Sequence, residues 1–177
     1  MFTHAIVRTP CKAITEGITT VDLGVPDYAK ALEQHSNYIK ALELCGLSVT
    51  ILPADENFPD STFVEDTALL TPYCAIITNP GAKSRKREID AMIPVLEDFF
   101  EQLEYIDSPG TVEAGDIMMV GNHYYIGLSA RTNHQGAMQL ISLLIKYGLT
   151  GSVITLSEVL HLKTGLSYLE NNNLLVC

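Results

Sequence analysis

Basic residues are scarce in this chain. Eleven lysines and arginines stand against 21 aspartates and glutamates, giving a formal charge of −10 over 177 residues. The small cluster Lys83, Arg85, Lys86, Arg87 is isolated and makes no stripe that could neutralise a run of phosphates, so nucleic acid and anionic membrane are excluded as partners. Long apolar runs are also lacking. No uninterrupted stretch approaches the ~18 residues of a membrane span, and the start Met1-Phe2-Thr3-His4 has no basic segment followed by an apolar one, so the chain reads as cytoplasmic. Cysteine is sparse: Cys11, Cys45, Cys74 and Cys177 form no CxxC and no metal-ligand spacing with the five histidines. Neither a metal site nor a disulfide framework is expected, and most of these thiols read as small buried groups. Linkers, charge blocks and low-complexity tracts are absent too. With 47% hydrophobic residues, 1–177 reads as a single domain with an ordinary core.

What is present is an internal repeat with a period of roughly 50 residues, each unit running helix, strand, loop, hairpin. In the first, Asp27 caps a helix bearing Leu32, Ile39 and Leu42, Gly46 stops it, Ser48–Leu52 alternates like a strand, and Asp66–Leu70 with Ala75–Ile77 forms a hairpin around Pro72. In the second, a helical stretch after Ser84 carries Ile89, Met92, Ile93, Leu96, Phe100 and Leu103, with Pro94 as a kink. A short strand around Tyr105-Ile106 and a hairpin from Asp116 through Gly121-Asn122 to Ile126 follow. In the third, Ala137, Ile141, Leu144 and Ile145 form the stripe, Gly148 ends it, Val153–Leu156 is the strand, and Lys163–Val176 is a hairpin turning at Asn171-Asn172-Asn173. His4–Arg8 resembles the second strand of a hairpin without its partner. A stack or ring of such units closes only when its last unit meets its first, so three units read as an apparently truncated set whose exposed edges favour association of copies into a homo-oligomer.

Polar groups recur at matching places, before and at the start of each hairpin: Asp60, Glu65 and Asp66, then Glu113 and Asp116, then His161 and Lys163. Carboxylates gathered around one axis repel unless a cation, a proton or basic neighbours join them. A guanidinium fits that requirement, because its planar N–H fork matches two carboxylate oxygens. Glu65-Asp66 sits between Phe63-Val64 and Ala68-Leu69-Leu70, where burial would penalise unpaired charge. Asp116 reads instead as a structural cap. His35, His123 and His134 read as structural or exposed, and His161 differs from them by sharing the repeat position of the carboxylates.

The segments Phe58-Pro59-Asp60-Ser61-Thr62-Phe63-Val64-Glu65-Asp66-Thr67-Ala68, Asn79-Pro80-Gly81 with Arg85, Glu113-Ala114-Gly115-Asp116, Gly127-Leu128-Ser129-Ala130-Arg131-Thr132-Asn133 and His161-Leu162-Lys163 together resemble the dimethylarginine dimethylaminohydrolases of the guanidino-group-modifying pentein superfamily. The resemblance runs from Ile6 to Cys177 and implies an α/β fold, the five-bladed α/β propeller, with about three of its repeat units in this chain. It implies a small-molecule guanidino substrate, dimethylarginine or monomethylarginine, hydrolysed to citrulline and a methylated amine through a covalent cysteine intermediate, with no cofactor. Glu65 and Asp66 would grip the guanidinium, Asp60 and the carbonyl near Ile18 the α-amino group, and Arg85 and Arg131 the α-carboxylate. His161 would be the acid and base, oriented by Glu113.

Ala114 departs from the glycine usual in that family, a mild change unless the position needs a positive φ. The family's nucleophilic cysteine lies after roughly two further repeats. Cys177, at the end of the third hairpin, reads as a strand-end thiol, and the expectation is that these 177 residues alone are inactive. An arginine deiminase-like enzyme and a non-catalytic pentein remnant are the alternatives.

Overall fold

The structure, a computed structural model, describes residues 2–177. The chain divides into two compact units, Met1–Val64 and Glu65–Cys177. In the first, β1 (His4–Arg8) pairs in parallel with β2 (Ser48–Leu52), and α1 (Tyr28–Leu44) joins them. The Asp27 carboxylate accepts the Lys30 N–H at 3.1 Å and starts α1, and Gly46 at φ +86° ends it in the left-handed region that glycine enters without strain. β1 thus has a partner, but a parallel one.

The second unit builds two sheets by one rule. β3 (Ala68–Leu70) and β4 (Ala75–Ile77) form a hairpin that β5 (Leu103–Tyr105) extends in parallel. β6 (Ile117–Val120) and β7 (His123–Leu128) form the next hairpin, extended in parallel by β8 (Thr150–Thr155). The last hairpin, β9 (Leu166–Leu169) with β10 (Asn173–Val176), turns through Asn171 and Asn172, both at φ 61°, a conformation asparagine tolerates. The fold is α/β with mixed sheets.

The sequence reading placed one helix from Ser84 to Leu103, and the structure corrects it. Lys83–Ala91 is a 3-10 helix, α2 is the short helix Ile93–Glu97, and Leu103 begins β5. Pro94 lies in the first turn of α2, where its missing N–H costs no intrahelical bond. α3 (His134–Lys146) is regular, capped by Asn133, whose side-chain oxygen accepts from Gly136 N–H at 2.8 Å.

Ile76, Ile126, Leu140 and Leu144 are fully buried and anchor the core of the second unit with Val112, Ala137 and Tyr124. Each large aliphatic contributes roughly 1.5–3 kcal/mol by leaving water. The expectation of mostly buried thiols holds for Cys11 and Cys74, whereas Cys45 and Cys177 are exposed. Among the described residues, no helix is long and apolar enough to cross a membrane.

One feature of the hairpins positions the site. Each is entered through a single helical turn where the sequence reading had placed the start of a strand: Val64–Thr67, Ala114–Asp116, and α4 (Leu162–Gly165). The turns are stitched in series. Gly115 N–H donates to Asp66 Oδ1 at 2.9 Å, and Leu162 N–H donates to Asp116 Oδ1 at 3.1 Å, so each turn's aspartate accepts a backbone donor of the next.

Candidate active site

The stitching brings Asp66, Glu113, Asp116 and His161 together, all buried. His161 Nε2 lies 3.5 Å from Glu113 Oε2 and 3.9 Å from Asp66 Oδ1, and Nδ1 lies 3.3 Å from Asp116 Oδ1. Burial alone would lower the pKa of this imidazole, but Asp116, Asp66 and Glu113 outweigh it, and the balance raises the pKa above the ordinary 6.5. A methyl group on Gly115 would stand 2.8 Å from Asp66 Oδ1 and 3.0 Å from His161 Cδ2, so a larger residue there would displace one of the two side chains.

Two arginines support the carboxylates. Arg85 donates through Nη1 to Asp66 Oδ2 at 2.6 Å, and through Nε and Nη2 to Glu88 at 2.8–3.1 Å. Desolvation works against its charge, yet Glu88 and Asp66 hold it protonated more firmly than a free guanidinium. Arg131 Nη1 reaches Glu113 at 3.4 Å, a looser contact, and Ala82 N–H donates to Glu113 Oε1 at 3.0 Å. Four buried carboxylates, Asp66, Glu88, Glu113 and Asp116, thus face two arginines. His161 faces three of these carboxylates, Asp66, Glu113 and Asp116, surroundings that stabilise positive charge. Asp66, Glu113 and His161 each offer an atom within 4.8 Å of the others, a spacing that would also admit a metal ion.

Glu65 is exposed, contrary to the burial argued from its neighbours, and Lys163 Nζ donates to its Oε1 at 2.5 Å. Asp60 is buried in the first unit and accepts Ile18 N–H at 3.1 Å through Oδ1, with a second contact at 3.3 Å through Oδ2. The sequence reading missed three participants. Asp116, taken there for a structural cap, faces the imidazole. Glu88 binds Arg85, and the i,i+3 spacing of an arginine and a glutamate in one helical stretch was the available signal. Ser129 Oγ donates to Asp116 Oδ2 at 2.7 Å; the residue lies in the Gly127–Asn133 motif segment, but no role was read for it there.

The family described as "N,N dimethylarginine dimethylhydrolase, eukaryotic" matches residues 27–177. The N(G),N(G)-dimethylarginine dimethylaminohydrolase of Pseudomonas aeruginosa is 59% identical over 99% of this chain, which spans 69% of that protein. This chain belongs to the dimethylarginine dimethylaminohydrolase family. The Streptomyces coelicolor member is 32% identical over 97% of the chain and 67% of its own length. The P. aeruginosa enzyme in a cysteine-to-serine mutant complexed with citrulline superposes with a TM-score of 0.98, over 99% of this chain and 69% of that one. A dimethylarginine dimethylaminohydrolase histidine-to-glycine variant, an adduct with S-methyl-L-thiocitrulline, also gives 0.98 at 58% identity, covering 99% of this chain and 70% of that one. The N-terminal domain of a cyanobacterial arginine dihydrolase, at 16% identity and a TM-score of 0.85 over 97% of this chain and 65% of that one, shares the fold.

Proposed function

We propose that these residues form the grip and the proton-transfer group of a hydrolase that attacks the guanidinium carbon of dimethylarginine or monomethylarginine. The observation that supports it most is the buried His161 facing three buried carboxylates, Asp66, Glu113 and Asp116. A guanidinium supplies positive charge together with planar N–H donors to carboxylate oxygens. Family membership and the citrulline complex of the P. aeruginosa relative support the same reading.

Glu65 and Asp66 hold the substrate cationic, which keeps its delocalised carbon as electrophilic as the group allows. Arg85 and Arg131, the latter the more loosely held, bind the α-carboxylate. A cysteine thiolate adds to the guanidinium carbon, His161 gives a proton to the departing methylated amine as the C–N bond breaks, and a thiouronium remains. Water deprotonated by His161 then forms the C–O bond, and the C–S bond breaks to release citrulline and the thiolate.

None of this chain's four cysteines is assigned the thiolate role. Burial raises the pKa of the Cys11 and Cys74 thiols, and Cys177 Sγ donates to the carbonyls of Thr164 and Gly165 at 3.3 and 3.4 Å. The 177 residues alone are therefore read as inactive. The recurrence of hairpin plus parallel strand supports a further reading of the units as about three of the five blades of an α/β propeller.

Calorimetric titration of the 177-residue protein, with citrulline assayed in the same samples, tests the proposal. Dimethylarginine binds, Glu65→Gln weakens it about tenfold, agmatine, which lacks the carboxylate, binds less, and no citrulline forms. Equal binding of agmatine, or tighter binding of plain arginine, contradicts the substrate assignment, and Cys177-dependent citrulline contradicts the inactivity.

A further inference from the structure

Asp66 and Asp116 hold equivalent places in consecutive turns, each accepting one N–H from the turn that follows. Their second oxygens go to different partners. Arg85 takes that of Asp66, whereas the hydroxyl of Ser129 takes that of Asp116. Ser129 Oγ in turn accepts the backbone N–H of Arg131 at 2.9 Å and of Thr132 at 3.2 Å. A serine hydroxyl has one donor and two acceptor positions, and all three are used. Asp116 is consequently fixed at both oxygens, by Leu162 N–H and by Ser129, with Oδ1 turned to His161.

The imidazole is asymmetric in its surroundings. Nε2 faces Glu113 and Asp66, which carry Arg131 and Arg85 behind them. Nδ1 is buried, has no other hydrogen-bond partner among the described residues, and stands 3.3 Å from Asp116 Oδ1. Lys163, two residues on, is engaged with Glu65. An unprotonated Nδ1 would present its lone pair to a buried anion, and a protonated one is attracted to it.

We propose that Asp116 is a positioning residue for His161: it keeps the neutral ring in the Nδ1–H tautomer, so that Nε2, between Glu113 and Asp66, is the nitrogen that exchanges protons. The inference rests on the reading of His161 as the acid and base. It moves the orienting role from Glu113, which faces the working nitrogen, to Asp116.

Ring ¹⁵N NMR of His161 across pH in the labelled 177-residue protein tests it. In the wild type, the neutral ring carries its proton on Nδ1. Asp116→Asn keeps an oxygen for Leu162 N–H but loses the charge; the ratio of Nδ1–H to Nε2–H falls about tenfold, and the titration moves to lower pH. An unchanged ratio and midpoint in this variant would assign Asp116 to the backbone alone and overturn the proposal. If the variant does not fold, the wild-type spectrum decides, and a dominant Nε2–H tautomer overturns it. Should dimethylarginine fail to bind while Nδ1–H is found, the functional reading fails and the positioning role stands.

Discussion

His161 couples the site to pH. Its folded-state pKa lies above 6.5 because Asp116, Asp66 and Glu113 outweigh the desolvation that opposes its charge. A raised histidine pKa contributes stability that is full below the unfolded value and is lost as pH rises through the folded one. Thermal melts should therefore show the wild type losing stability across that window, and His161→Gln flattening the dependence; an identical pH profile in the two proteins would contradict the coupling. At this scale the sequence was legible where a motif carried the residue. Asp66, Glu113 and His161 were singled out at repeat positions, and the structure places His161 Nε2 3.9 Å from Asp66 and 3.5 Å from Glu113. Glu65 was misread, because flanking apolar residues do not determine which way an adjacent carboxylate turns. Asp116 was assigned to backbone capping, and it does accept Leu162 N–H; its second role depends on a ring 45 positions on, which no local pattern encodes.

Elements with strong local signals follow the sequence closely. α1 begins at the aspartate expected to cap it and stops before a left-handed glycine. The stretch after Ser84 failed for an identifiable reason. Its apolar spacing was read as one helix, but the charged Lys83–Ala91 run forms 3-10 turns around the buried Arg85–Glu88 pair, and Pro94 restarts the chain as α2. Arg85 is also tied to Asp66, 19 positions earlier, a tertiary ion pair that local propensity does not register. The start of α3 bears more than its own helix. Asn133 accepts from Gly136 N–H and from Thr111 N–H, and donates to Pro109 O. Gly136 packs so closely that a methyl group would fall 2.1 Å from Thr111 O. Replacing Asn133 by alanine removes a cap and strips Thr111 of its acceptor, at a cost of about 2–3 kcal/mol. Urea unfolding should show a lower midpoint at an unchanged slope, and a loss under about 0.5 kcal/mol would mean that water replaces the side chain.

Over the whole molecule, a small part of the formal −10, the buried carboxylates of the second unit, is held by the fold against its own repulsion. That cost is met by serial turns whose backbone N–H groups bind Asp66 and Asp116, and by Arg85 and Arg131. Asp66 and Asp116, both singled out at the hairpin starts, each accept a backbone N–H from the turn that follows. The helical turns themselves were not visible, because three or four residues carry too little periodicity to distinguish a turn from the first residues of a strand.

We propose the carboxylate cluster around His161 as a guanidinium site. Titrating dimethylarginine into the labelled 177-residue protein, observed by NMR at the Gly115 amide and the His161 ring, tests it most directly. Saturable shifts at both positions, abolished by Asp66→Asn in a folded protein, are predicted. Shifts absent at saturation, or unchanged in Asp66→Asn, would contradict it.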